Sequence, residues 1–131
     1  MLVEKDRKER MHTDMLNTRI DPEILYRITK PLRYAGGEIN EVIKPDDEVL
    51  VRFALAFPDV YEIGMSHAGI KILYALLNAM PGIWAQRVFA PWHDMAQALS
   101  HNNISLYSLE EKRPLKSFDI IGYSLLYELS Y

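Results

Sequence analysis

Residues 48–57, EVLVRFALAF, place eight apolar side chains in ten positions. A run that apolar on both alternating faces suits the interior of a parallel sheet covered by helices, not a half-wet strand. The period then changes. Ile70, Leu73, Leu76, Leu77 and Met80 recur at helical spacing, which predicts an amphipathic helix with that stripe inward, stopped at Pro81-Gly82. Residues 84–90, WAQRVFA, read as a second strand, shorter and more polar. Residues 91–103, PWHDMAQALSHNN, read as a short helix that opens with proline and closes with asparagines. ISLYSL at 104–109 has the composition of a brief strand, and EEKRPLKS at 110–117 that of a solvated charged loop. FDIIGYSLL at 118–126 is a further buried strand with a central glycine.

Strand, helix, strand, helix, strand is the order of βαβ units, whose crossovers are right-handed. The expected class is α/β: a Rossmann-like (flavodoxin-like) parallel sheet with flanking helices. A sheet that closes on YELSY has no helix over its last strand, so the domain is expected to be incomplete at the C-terminus and to self-associate in isolation. Residues 1–47 read as an N-terminal leader and short helix, and 48–131 as the front part of the α/β domain. Within the leader, DPEILYRI at 21–28 is a helix with Asp21 as N-cap and Pro22 at the first position. Pro31 is a stop and Gly36-Gly37 a turn.

With 131 residues and 49% apolar content, the chain can build a core without a disulfide or metal staple. Its formal charge of -3 argues against a nucleic-acid-binding surface over the whole domain. There is no cysteine, which excludes disulfides, thiolate nucleophiles and cysteine-held zinc or iron–sulfur clusters from this chain. The N-terminus is charged from residue 4 and lacks the apolar segment of a secretory signal. No apolar run approaches the roughly 20 residues needed to span a bilayer. A cytoplasmic location is the expectation.

Open parallel sheets bind ligands at the carboxyl ends of their strands, near the point where strand order reverses. The loop leaving the first strand, PDVYEIGMSH, is rich in polar and aromatic residues and holds Asp59, Tyr61 and Gly64 as Asp-x-Tyr-x-x-Gly. Gly64 fits a tight turn of positive φ. Ser66 fits the N-cap of the following helix, whose N-terminus could also hold an anion such as a cofactor phosphate. His67 and His93 both follow strand exits and read as hydrogen-bonded rim residues, with no third ligand at metal-binding spacing. Trp92 reads as a cover for the edge of the core. No Ser-His-Asp order, Walker loop or Gly-x-Gly-x-x-Gly is present, so no catalytic residue is assigned.

The Asp-x-Tyr-x-x-Gly loop is similar to the Asp-x-His-x-x-Gly of Rossmann-like cobalamin-binding domains, and Ser124 to Leu126 match the Ser-x-Leu that those domains carry after a later strand. The wording of RYAGGEIN, RFALAFPDVYEIGMSHAGIKILYALLN, RVFAPWHDM and LYSLEEKRPLKSFDIIGYSLLYELSY resembles the N-terminal region of cobalamin-binding-type radical S-adenosylmethionine (SAM) proteins, from about Arg33 to Tyr131. The resemblance implies cobalamin at a site lined by Asp59, Tyr61, Gly64, Ser66, Ser124 and Leu126. It implies SAM and a [4Fe–4S] cluster only in a barrel beyond Tyr131, on the same or a split polypeptide, as the partner of this domain. Tyr61 departs from the pattern: a phenol with a pKa near 10 is a poor cobalt ligand where the family's histidine supplies a nitrogen. The alternative is an interaction or structural module that keeps the fold without the cofactor.

Overall fold

The computed structural model describes Lys5 and residues 22–124. The remainder of the leader, the Asp21 cap and Leu126 lie outside the described residues. Three parallel strands form one sheet in the order β2-β1-β3, with β1 (Val51–Phe57) flanked by β2 (Ile83–Phe89) and β3 (Ile120–Tyr123). The registers run from Val51↔Ile83 to Phe57↔Phe89 on one side and from Phe53↔Ile120 to Ala56↔Tyr123 on the other. The α/β class read from the alternating periods is the fold observed.

The helices are α1 (Pro22–Arg27), α2 (Tyr61–Ser66), α3 (Ala68–Ala79) and α4 (His93–His101). Leu55, Tyr74 and Ala85 form the core between α3 and one face of the sheet, joined by Val42 and Leu77. Ala54, Ala56 and Val88 form the other face with Phe118, Leu106 and Leu115. Met95 and Leu99 of α4 extend the core with Ile28 and Tyr107. Small residues at the sheet centre let both layers approach closely, as interior packing density requires. The turn into β2 needs Gly82, whose φ of +77 is a left-handed conformation and whose carbonyl accepts from Leu50 and Val51 N–H at 2.8 and 2.9 Å.

Four expectations from the sequence are corrected. The helix after β1 is broken in two at His67, and its inward face is Ile70, Tyr74 and Leu77; Leu73, Leu76 and Met80 of the expected stripe are 45%, 57% and 48% exposed. Its phase is set by Tyr74, whose hydroxyl accepts from Val42 N–H at 2.9 Å. Residues 104–109 form no strand; Tyr107 makes one isolated antiparallel bridge to Pro114. The third strand is an edge strand with Ile120, Ile121 and Tyr123 exposed, because no described element covers it. The charged loop at 110–117 is partly buried, with Arg113 inside and Lys116 exposed, as described below.

Residues 30–45 run as a strap along the β2 side of the molecule. At one end Arg33 pairs with Glu62 at 2.7 Å and Tyr34 hydroxyl accepts from Trp92 N–H at 3.1 Å. At the other, Lys44 Nζ donates to the carbonyls of Asn78, Met80 and Ile83 at 2.8, 3.3 and 2.5 Å. Three donors meet three acceptors there, two of them at the end of α3, where a cation complements the helix dipole.

Candidate functional site

In the order β2-β1-β3 the chain leaves β1 to one side, then crosses back to reach β3. The reversal falls between β1 and β3, so the crevice outside their carboxyl ends is the switch point at which such sheets bind ligands. Ser124 N–H donates to Ala56 O at 3.1 Å, and Asp59 lies three residues beyond Ala56. Asp59 and Ser124 therefore share this rim, both half-buried. The Asp59 carboxylate accepts from its neighbour Val60 N–H at 2.7 Å, and its carbonyl accepts from Ala90 N–H at 2.9 Å, tying the β1 and β2 exits together.

The rest of the loop turns toward β2. Tyr61 opens α2 with its ring edge-on to Phe89, centroids 5.9 Å apart at 87°. Its hydroxyl donates to Glu38, and burial together with that hydrogen bond pushes its pKa up to about 12. Gly64 is helical and not in the positive-φ turn expected of it. What demands glycine is the Phe89 ring: a Cβ at position 64 would lie 2.2 Å from Phe89 Cε1. Ser66 is likewise not the N-cap. It ends α2 and donates from Oγ to Glu62 O at 2.7 Å, while His67 Nδ1 caps α3 by accepting from Ile70 N–H at 3.3 Å. The chain bends at 67, one residue later than the serine, where His67 takes an extended backbone and packs against Phe57 with ring centroids 5.2 Å apart. Trp92 is 48% exposed, not a core cover, with the Arg33 guanidinium 5.6 Å from its ring centroid. Among the described residues no three His, Cys, Asp or Glu side chains gather as metal ligands. No helix of the described residues is long and apolar enough to cross a membrane.

Sequence reasoning missed the polar machinery beside this rim. Along the outer edge of β2, Leu109 N–H donates to Arg87 O at 2.8 Å and Glu110 Oε2 accepts from Arg87 N–H at 2.8 Å, so residues 109–110 close the strand's open edge. Glu110 Oε1 also holds Arg87 Nε at 2.7 Å, with both side chains buried. The Arg87 guanidinium lies 4.1 Å from the Tyr74 ring centroid and 3.4 Å from Met65 Sδ. On the opposite face, Glu111 grips Arg113 in a two-point pair at 2.8 and 2.9 Å and accepts from Gln86 Nε2 at 2.7 Å. Ser108 Oγ joins them, donating to Gln86 at 2.6 Å and accepting from Arg113 N–H at 3.1 Å.

The two acids respond oppositely. Burial pushes Glu110 up, with Arg87 pulling back. Burial also pushes on Glu111, but hydrogen bonds from Arg113 and Gln86 and the charges of Arg113 and Arg52 outweigh it and hold that carboxyl below the usual carboxylate range. A depressed carboxyl adds stability above its unfolded pKa and loses it as pH falls through the folded value. The stability gap between the native chain and Glu111→Gln is therefore expected to be widest near neutral pH and to shrink on acidification below about pH 4.3. Urea titrations from pH 7 to 3 measure this, and a gap that widens with acid contradicts it.

Residues 69–131 match the family model described as Radical SAM proteins, N-terminal. The match supports a radical SAM N-terminal region. It spans α3 from Gly69 onward, β2, α4, the buried acidic loop and β3, so both the edge latch and the β3 side of the rim lie in radical SAM-like sequence. No curated protein and no solved structure matches the chain.

Proposed function

We propose that the chain is the N-terminal α/β module of a radical SAM protein, and that it acts by offering its β1/β3 carboxyl rim to the barrel without holding a cofactor of its own. The observation that carries this reading is the internal commitment of the motif residues. Tyr61 is bound to Glu38 and packed on Phe89, and the space beside Gly64 is filled by that same ring. Tyr61, where the cobalamin-binding pattern has a histidine, is a phenol whose pKa is pushed up to about 12, so it would offer a corrinoid no nitrogen ligand. Position 61 therefore does not fit a corrinoid that would draw a nitrogen ligand from this loop.

A second reading has one observation in its favour. Ser124 follows β3 and bonds Ala56 of β1, three residues before Asp59, so both stand at the exits that flank the switch point, an arrangement that suits a corrinoid resting on the rim with no protein ligand to cobalt. Gel filtration of the longer polypeptide with hydroxocobalamin separates the two readings. The expected result is free cobalamin with an unshifted absorption band; co-elution with a shifted band sinks the cofactor-free reading. Hydrogen exchange tests the docking rim: residues 58–66 and 120–124 gain protection when the barrel is present, and equal exchange with and without it overturns the proposal.

A further inference from the structure

We propose that the partly enclosed space beneath the end of β2 is a hydration site, in which one ordered water bridges the phenols of Tyr107 and Tyr34. The cavity measures about 30 Å³ and is bounded by the strap, α4, Tyr61 and the β2 exit. A water needs roughly 10–15 Å³ on the same measure, together with polar partners to hold it. Tyr107 is 7% exposed, its hydroxyl is fully buried, and that oxygen has no hydrogen-bond partner among the described residues. An unpaired buried hydroxyl is costly, and native interiors nearly always satisfy such groups.

Tyr34 lines the same cavity and supplies the second partner. Its oxygen accepts from Trp92 N–H at 3.1 Å, which leaves its own proton to donate. Of the remaining walls, Phe89, Met95, Leu99 and Leu106 are apolar, while the Arg33 guanidinium is paired with Glu62 at 2.7 Å and the Tyr61 hydroxyl with Glu38. Burial pushes the Tyr107 phenol up, so it stays neutral and keeps a proton to give. The bridged water ties the strap, through Tyr34, to the segment that begins the edge latch, through Tyr107.

Tyr107→Phe in the 131-residue chain tests this. A bridged water makes the hydroxyl stabilising, so the variant melts lower by about 2–5 °C. In combination with Tyr34→Phe the two losses sum to more than the double variant shows, because either substitution removes the same bridge. A dry cavity predicts the opposite sign: deleting an unpaired hydroxyl leaves the melting temperature unchanged or raises it, which overturns the proposal. Water–protein NOEs to the Tyr107 ring in the unsubstituted chain give a readout independent of folding of the variants. Cross-peaks from a long-lived water support the site; their absence overturns it.

Discussion

Glu110→Ala is expected to destabilise the fold by about 3–5 kcal/mol, because it strands the Arg87 guanidinium without its counter-charge in the interior. Arg87 and Glu110 are 6% and 0% exposed at their side chains, so water cannot replace the lost partner. The substitution also removes the acceptor for Arg87 N–H, one of the two bonds that close the β2 edge. A chain of this size has about 5–15 kcal/mol in total, so the variant sits near or past its unfolding threshold at 25 °C. The pair itself contributes far less than its breakage costs. Burial pushes Glu110 upward even with Arg87 beside it, showing that desolvation outweighs the pairing. Arg87→Met combined with Glu110→Leu should therefore recover much of what Glu110→Ala loses, short of the term for the orphaned backbone N–H, about 1–3 kcal/mol. Chemical denaturation of the three variants measures this, and a double variant as unstable as the single one would refute it.

The second large effect is at Gly64. Alanine there gains helix propensity, about 1 kcal/mol in an exposed helix. Against it, the added methyl meets Phe89 Cε1 and Cδ1 at 2.2 and 2.4 Å and Phe57 Cδ1 at 3.3 Å. The Phe89 ring cannot swing aside freely, since Tyr61 packs edge-on to it. Overpacking of this kind costs about 1–3 kcal/mol, and twin contacts below 2.5 Å place Gly64→Ala at the upper end, for a net loss of about 2 kcal/mol. Phe89→Leu in the Gly64→Ala background should restore part of it. Thermal melts decide between this crowding and a simple turn requirement, under which Phe89→Leu gives no rescue.

The contrast between those positions and the strands shows why some features were legible. EVLVRFALAF announces itself through composition alone, since a strand covered on both faces must be apolar on both. Helix phase was harder. Leu73, Leu76 and Met80 look like a core stripe, but Tyr74 wins the inward position through Val42 at its hydroxyl and Arg87 over its ring. For the rim, the placement of Asp59 and Ser124 on neighbouring strand exits followed from the order of strands and motifs. The roles of Gly64 and Ser66 did not, since both depend on where the chain bends after β1.

The buried acidic loop left one trace that was readable. Gln86 and Arg87 stand mid-strand in WAQRVFA, where a parallel strand has no solvent for polar groups. Such a pair demands partners of complementary chemistry, and EEKR, which follows, supplies two acids. Which acid meets which base was not readable. Adjacent residues of a strand point to opposite faces, so Arg87 and Gln86 call on Glu110 and Glu111 separately, across opposite sides of the sheet edge. Periodicity and composition are local properties of the chain, and they sufficed for the α/β class, while the strand order came from the packed sheet. Charge burial depends on which segments are folded against one another, and only the packed molecule decides that.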